Sequence, residues 1–468
     1  MDGLILLLHT KNMKKILFIT PLPPPVHGSA MVSQYIKDSR LVQETFDCDF
    51  VNLSTSRRMD EIGKGGVKKL LRFVGAYFTL FWKLLTRHYD LCYLAITCHD
   101  KGFLKDAPFV LLCKLFGRRV VIHQHNKGMS GCVDRWPYRW LLPMVYRNTT
   151  VMLLSWHLYP DIERVVKREQ VVVCANGIPK VTINDERLTL NEDSHPDGNA
   201  KHYTLDTQQE LSHTDSTDSF SCQRASQRAK CRFTCDFSAS AASEDINQQN
   251  LDTITQKGKS LCPCCHPEEN SKLSTLNPKQ TNEGVPRLLF LSNLIPSKGV
   301  YVLLDACKML KERGLQFVCD FVGGETKEIS RATFEAAVRE RDLEDVVRYH
   351  GPKYGEEKLA YFAQSDVFVF PTFYYNECFP LVLLEAMQWR LPLVSSDEGG
   401  IPDIVQNGEN GFVCKQQDAL SLAEALEKLI SNPALRRQMG ERGYERYKAE
   451  YTLTAFEQNF VEMIRGCL

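Results

Sequence analysis

The chain is 468 residues long, 43% hydrophobic and 24% charged, with 57 basic residues balanced by 57 acidic ones. That length calls for two or three domains, and the cancelled charge removes any electrostatic argument for bulk nucleic-acid binding. Seventeen cysteines, an odd number standing mostly alone in apolar runs (Cys92, Cys113, Cys174, Cys307, Cys319), read as small hydrophobes in a reducing cytoplasm rather than a disulfide framework.

Residues 1–12 are expected to be an unstructured leader. Their only apolar run, residues 4–8, follows Asp2 rather than a basic flank and does not read as a secretory signal. No stretch reaches the roughly 18 uninterrupted apolar residues of a spanning helix, so a protein of the cytoplasm, or of the inner face of its membrane, is expected. Strand-like runs then alternate with helical spacing: KKILFIT (14–20), CDFVNL (48–53), LCYLAIT (91–97), RVVIHQ (119–124), TVMLL (150–154) and VVVC (171–174). Such alternation predicts parallel sheet with helices on both faces over residues 13–180.

From 181 to 284 the texture turns polar. Four aromatics (Tyr203, Phe220, Phe233, Phe237) and no tryptophan occur there, which predicts a largely disordered insertion. Its LCPCCHPE run (Cys262, Cys264, Cys265, His266), with Cys222, Cys231 and Cys235, matches no zinc spacing, and no metal site is expected. Alternation resumes with RLLFLS (287–292), FVCDFVGG (317–324), VFVFP (367–371), LPLVSS (391–396) and GFVC (411–414), and helices are predicted over 419–430, 433–446 and 453–464. The economical architecture is α/β: two doubly wound domains, 13–180 and 285–450, facing a cleft, with a C-terminal helix (451–468) that can cross back to the first domain. Ligands of such sheets bind outside the carboxyl ends of the strands.

The strand exits are therefore the places to look for chemistry. In NECFPLVLLEAM (376–387), Pro380 suits a first helical position, so a helix is expected to start near Phe379–Pro380. Glu377 then lies in the loop before it and Glu385 inside it. Eight residues on one helix would turn the two acids by roughly 80° from each other, whereas a loop acid and a helix acid can both face a ligand lying over the helix start. The free N–H groups there suit phosphate, and the acids suit hydroxyls. A surface acid plus an ordinary helical glutamate explains these twelve residues equally well. Beyond them, Lys298 in LSNLIPSKG can reach the cleft as a point charge. Gly323–Gly324 and Gly399–Gly400 follow strands where backbone can approach a ligand.

In that order, these elements resemble the nucleotide-sugar-binding domain of retaining glycosyltransferases of family 4 (glycosyl transferases group 1, GT-B fold), with the glutamate-seven-glutamate spacing of ECFPLVLLEAM as the most specific feature. The resemblance implies that Glu377 contacts donor-sugar hydroxyls, Glu385 holds the ribose, the backbone at Phe379 and Leu381 serves sugar and phosphate, and Lys298 neutralises the leaving diphosphate. Asn293 stands where the family usually carries an arginine, which leaves the diphosphate clamp short of a bidentate cation. Asp403 stands where a glutamate is common and reads as a minor structural change. In the first half, TPLPPPVHGSAM resembles the family's glycine loop, with Gly28 and Ser29 as donor-side candidates. In VVIHQHNKG, His125 aligns with the histidine near the reactive centre, while His123 reads as a strand residue. The implied reaction is retaining and metal-independent, with a nucleotide-diphosphate sugar as co-substrate and no cofactor.

The acceptor is less defined. Residues 68–88 are apolar and aromatic with basic members (Lys68, Lys69, Arg72, Lys83, Arg87); a helix lying on an anionic membrane and a helix packed on the sheet both fit. DRWPYRWLLPMVYRN (134–148) adds tryptophans and arginines. A glycan or lipid-linked acceptor of surface-polysaccharide or glycolipid synthesis follows from the membrane reading. A nucleotide-sugar epimerase and a non-catalytic nucleotide-sugar-binding protein are the alternatives.

Overall fold

The computed structural model describes residues 13–24, 28–54, 66–184, 187–191 and 284–468. The leader and the cysteine-rich LCPCCHPE run lie outside the described residues.

In chain order the first lobe holds β1 (Lys14–Thr20), α1 (Gly28–Asp38), α2 (Arg40–Thr45), β2 (Phe46–Asn52), α3 (Val67–Thr86), β3 (Leu91–Ala95), α4 (Asp100–Leu115), β4 (Arg119–Gln124), α5 (Tyr138–Tyr146), β5 (Thr150–Leu153), α6 (Tyr159–Ile162) and β6 (Val171–Val173). All six strands pair in parallel, in the order β2-β1-β3-β4-β5-β6. Apolar runs form these strands because helices cover both faces of a parallel sheet; all five residues of β3 are buried.

Next comes an antiparallel hairpin, β7 (Lys180–Asn184) and β8 (Arg187–Asn191), registered Val181 to Leu190 and Ile183 to Leu188. The hairpin falls at the start of the stretch expected to be largely disordered: VTINDERLTLN alternates apolar and polar residues about a polar turn, a period-two signal short enough to be lost in the polar stretch that follows.

The second lobe comprises β9 (Arg287–Leu291), α7 (Val300–Glu312), β10 (Val318–Val322), α8 (Arg331–Arg339), β11 (Val347–Tyr349), α9 (Gly355–Gln364), β12 (Val367–Phe370), α10 (Leu381–Gln388), β13 (Leu393–Ser396), α11 (Ile401–Ile404), β14 (Gly411–Cys414), α12 (Ala419–Ile430) and α13 (Pro433–Arg446). Its parallel order is β11-β10-β9-β12-β13-β14. The strand order reverses between β9 and β12, and in the first lobe between β1 and β3, which sets one ligand crevice on each lobe.

The final helix, α14 (Leu453–Cys467), packs on the first lobe. Phe456, Phe460, Val461 and Ile464 share a buried cluster with Ile16, Phe18, Tyr93 and Val121, and the Phe460 ring lies 5.4 Å from that of Tyr93. At the junction Ile178 exchanges backbone hydrogen bonds with Tyr451 (3.0 Å) and Leu453 (2.9 Å). A Cβ on Gly177 would meet the Thr452 carbonyl oxygen at 2.3 Å, so only glycine lets these strands of chain touch.

Candidate functional site

The loops leaving β9 and β12 meet at the second lobe's crevice. Gly299, at φ +87°, brings the β9 loop against Pro371, whose carbonyl oxygen a Cβ would meet at 2.2 Å; the Phe373 N–H also donates to the Ser297 carbonyl at 2.8 Å. Lys298 is thereby carried to Glu377. Its Nζ ion-pairs with the Glu377 carboxylate and stands 4.4 Å from the centroid of the Tyr374 ring. Both partners of the pair are largely buried.

Pro380 is not the first helical residue but the one before it (φ −69°, ψ 112°), and its side chain caps nothing. The helix α10 therefore opens at Leu381, just after the buried Phe379 and the loop that carries Glu377, and no side chain caps its first N–H groups. Glu385 follows one turn inside α10 and ion-pairs with Lys358 of α9 at 2.7 Å. The two glutamates thus each hold a lysine, and both belong to the second lobe.

The glycine loops are tied to the same region. A Cβ on Gly323 would lie 1.8 Å from the Ser292 carbonyl oxygen. The Gly324 N–H donates to Asn293 Oδ1 at 3.1 Å, and the Leu294 N–H donates to the Gly324 carbonyl at 2.8 Å. Asn293 is thus a brace for the β10 loop, with its side-chain oxygen already engaged. Gly399, at φ +56°, presses on the Glu377 carbonyl, and the Gly400 N–H donates to the Cys378 carbonyl at 2.6 Å.

The first lobe contributes from the exits of β1 and β4. Gly28 and Ser29 head α1; a Cβ at Gly28 would meet nothing within 4 Å, so protein packing does not demand a glycine there. They stand at the exit of β1, on the first lobe. His123 is fully buried, with Nδ1 2.6 Å from the Tyr93 hydroxyl. Burial, and secondarily the neighbouring His125, push its pKa well below the ordinary histidine value, so it stays neutral. His125 is half-buried at the strand exit, its ring centroid 4.1 Å from that of His123.

Two residues join the lobes, and a third, Lys358, steadies Glu385 within the second lobe; the sequence singled out none of them for these roles. Lys127 ion-pairs across the cleft with Glu398, and its Nζ lies 5.7 Å from the Tyr375 ring centroid. Asp403, expected to be a minor structural change, instead accepts from the Ser155 hydroxyl and stands 3.1 Å from His157 Nδ1. Lys358 was missed because nothing in its helix marks it; Lys127 did carry a signal, a base just before a glycine at a strand exit. Among the described residues no group of three or more His, Cys, Asp or Glu is placed to hold a metal ion. Two open surface depressions, one around Lys415 and Asp418 and one around Glu409 and Arg442, are lined by none of the site residues named above.

Residues 274–446 match the family glycosyl transferases group 1. That region contains Asn293, Lys298, both glycine loops and the two glutamates of the crevice. The amylovoran biosynthesis glycosyltransferase AmsK of Erwinia amylovora is 34% identical over 152 residues, 32% of this chain and 37% of that protein. The capsular polysaccharide biosynthesis glycosyltransferase CapM of Staphylococcus aureus is 26% identical over 39% of this chain and 47% of that protein. The chain thus matches less than half the length of these curated relatives. Across the whole chain the likeness is one of fold. Sucrose-phosphate synthase of Thermosynechococcus elongatus superposes with a TM-score of 0.60 at 18% identity, covering 97% of this chain and 98% of that one. Anabaena HepE, solved in complex with UDP, gives 0.58 at 14% identity over 97% and 100%. The fold is GT-B, and the glycosyl transferases group 1 region is its second lobe.

Proposed function

We propose that the chain is a glycosyltransferase that moves a sugar from a nucleotide-diphosphate sugar to a glycan or lipid-linked acceptor, in surface-polysaccharide or glycolipid synthesis. One observation carries the reading: at the second lobe's switch point, Lys298 is held on Glu377 beside the open end of α10, with Glu385 one turn further in. A diphosphate entering there finds a lysine and free helix N–H groups, a pairing suited to a developing anion. Lys298 turns to the phosphate, and Glu377, released, accepts from the sugar hydroxyls. Glu385, steadied by Lys358, accepts from the ribose hydroxyls. The backbone at Phe379 and Leu381 and the loops at Gly323–Gly324 and Gly28–Ser29 lie around the same donor, with Asn293 bracing rather than clamping. His125 approaches the reacting carbon from the first lobe.

The transfer we propose is retaining and needs no metal: Lys298 and the helix terminus supply the positive charge, and catalysis rests on positioning and on stabilising the departing diphosphate. Support comes from the relatives, named for amylovoran and capsular polysaccharide synthesis, and from the fold neighbour solved with UDP.

The acceptor side is read as an anionic membrane surface. No helix among the described residues is long and apolar enough to cross a membrane, yet α3 turns its apolar side outward: Phe78 and Trp82 are each 65% exposed, with Leu70, Leu71 and Leu85 beside them. Two of its basic residues are taken up by the protein itself: Lys83 and Arg87 ion-pair with Asp49 on the edge strand β2. Phe81 meets Phe116 at the end of α4, and Lys114 there donates to the Met144 carbonyl of α5. Leu115, Trp140 and Met144, on these linked elements, are likewise exposed. Neither α3 nor α5 contains an acidic residue, while Lys68, Lys69, Arg72, Arg139 and Arg147 lie in or beside them, a charge complement to anionic headgroups.

The test of the activity is a panel of uridine, guanosine and adenosine diphosphate sugars, followed for binding, slow hydrolysis and transfer to lipid extracts, with the product anomer read by NMR. One donor should bind and give product of unchanged anomeric configuration. An inverted product would refute retention, and an epimerised sugar nucleotide formed without acceptor would make the chain an epimerase.

A further inference from the structure

We infer that Lys127, from the first lobe, is a second cation for the donor diphosphate; the assignment rests on the donor-site reading above. A nucleotide-diphosphate sugar brings about two negative charges into the crevice. The second lobe meets them with Lys298, while Asn293 is neutral and its oxygen is spent on the Gly324 N–H. One lysine leaves the diphosphate undercompensated in a site that burial makes poorly screened.

Lys127 is placed to supply the difference, and its backbone is fixed on both sides. The Asn126 side-chain oxygen accepts from the Cys98 N–H at 2.9 Å. Beyond Lys127, the Asp161 carboxylate accepts from the N–H groups of Gly128, Met129 and Ser130 at 2.8, 3.0 and 3.1 Å, and from the Ser130 hydroxyl at 2.7 Å. The loop is also fitted to the second lobe, since a Cβ on Gly131 would meet the Tyr375 hydroxyl at 2.9 Å. Lys127 thus enters the cleft from a loop that has nowhere else to go.

There it meets Glu398. Glu398 immediately precedes Gly399 and Gly400, which pack on the carbonyls of Glu377 and Cys378. Lys127–Glu398 and Lys298–Glu377 are therefore lysine–carboxylate pairs tied to the same stretch of backbone, and the two lysines stand over the rings of the consecutive residues Tyr375 and Tyr374. The Lys127 and Glu398 side chains are only 20% and 7% exposed. Desolvation cancels most of what such a buried pair gains, so a more highly charged anion can take the lysine from its carboxylate. In both pairs the glutamate keeps the place of a phosphate oxygen, and the diphosphate is gripped from both lobes at once.

The full chain is titrated by calorimetry with UDP, GDP and ADP, and with the nucleoside of whichever binds. Lys127→Ala should weaken the diphosphate about tenfold or more, the scale of one lost charge-assisted hydrogen bond, and leave nucleoside binding unchanged. Lys127→Arg should restore most of the affinity. Glu398→Gln removes the competitor and should hold or raise the affinity. If Lys127→Ala binds the diphosphate like the wild type, or if Glu398→Gln weakens it as much as Lys127→Ala does, the pair is a structural bridge and the assignment is overturned. If the wild-type chain binds none of the three diphosphates, the donor-site reading falls first and Lys127 with it.

Discussion

A Cβ on Gly399 would stand 2.2 Å from the Glu377 carbonyl oxygen, on a residue already at φ +56°. Gly399→Ala must therefore move Glu377 or strain the turn, and it should weaken donor binding about tenfold, if moving Glu377 costs one hydrogen bond to a charged group, in a titration with the best donor. Asn293 separates bracing from charge. Asn293→Leu deletes the acceptor of the Gly324 N–H and should lower stability by about 1–2 kcal/mol in denaturant unfolding. Asn293→Asp keeps an acceptor, so its unfolding midpoint should stay near wild type while nucleotide-diphosphate affinity falls. At this scale the sequence was informative where chemistry is local: Glu377, Glu385, Lys298 and the glycines sit in short, recognisable strand exits. Their partners were not legible. Lys298 and Glu377 are 79 residues apart, Ser155 and Asp403 are 248 apart, and Lys127 and Glu398 are 271 apart, and only the fold brings such pairs together.

Helix α3 shows what an element's environment adds to its pattern. Apolar residues with interspersed bases fit a packed helix and a membrane helix alike; the structure adds that Lys83 and Arg87 pair with Asp49 while Phe78 and Trp82 stay exposed. Burial raises the Asp49 carboxyl, but hydrogen bonds from Lys83 and Tyr89, the Lys83 charge and a further bond from Arg87 outweigh it and bring it down to about 2. Since the folded value lies below the unfolded one, this anchor contributes fully above about pH 4 and is lost as the pH falls through about 2. Thermal midpoints of wild type and Asp49→Asn, compared across that interval, should converge at the acid end and differ at neutral pH. On the exposed side, Trp82→Glu should leave the midpoint unchanged and abolish co-sedimentation with phosphatidylglycerol vesicles. Wild-type protein that stays in the supernatant would refute the membrane face, and a concentration-dependent dimer dissolved by Trp82→Glu would assign that face to a second copy. Long apolar strands such as β1 and β4 were legible to the residue because both faces are buried along most of their length. The three-residue β11, half-exposed at the sheet edge, and the short hairpin β7–β8 lacked the length that makes a period visible.

At the scale of the molecule, the two lobes share more than a linker. Helix α14 leaves the second lobe and completes the core of the first, so the first sheet depends on the last residues of the chain. Phe460→Ala should cost about 3–5 kcal/mol in denaturant unfolding, as for other fully buried aromatics, despite lying in the opposite lobe from Lys298 and Glu377. The two-domain architecture was readable from strand–helix alternation. The cross-lobe bridges were not, because they depend on how two separately encoded sheets dock. Whether the glutamates of NECFPLVLLEAM hold a sugar nucleotide is read by titrating wild type, Glu377→Ala and Glu385→Ala with the best donor of the panel and following its slow hydrolysis. Glu385→Ala should lose at least about tenfold in donor affinity, the scale of one charge-assisted hydrogen bond, and Glu377→Ala should lose turnover. Donor binding and turnover unchanged in both variants would contradict that role for the two glutamates.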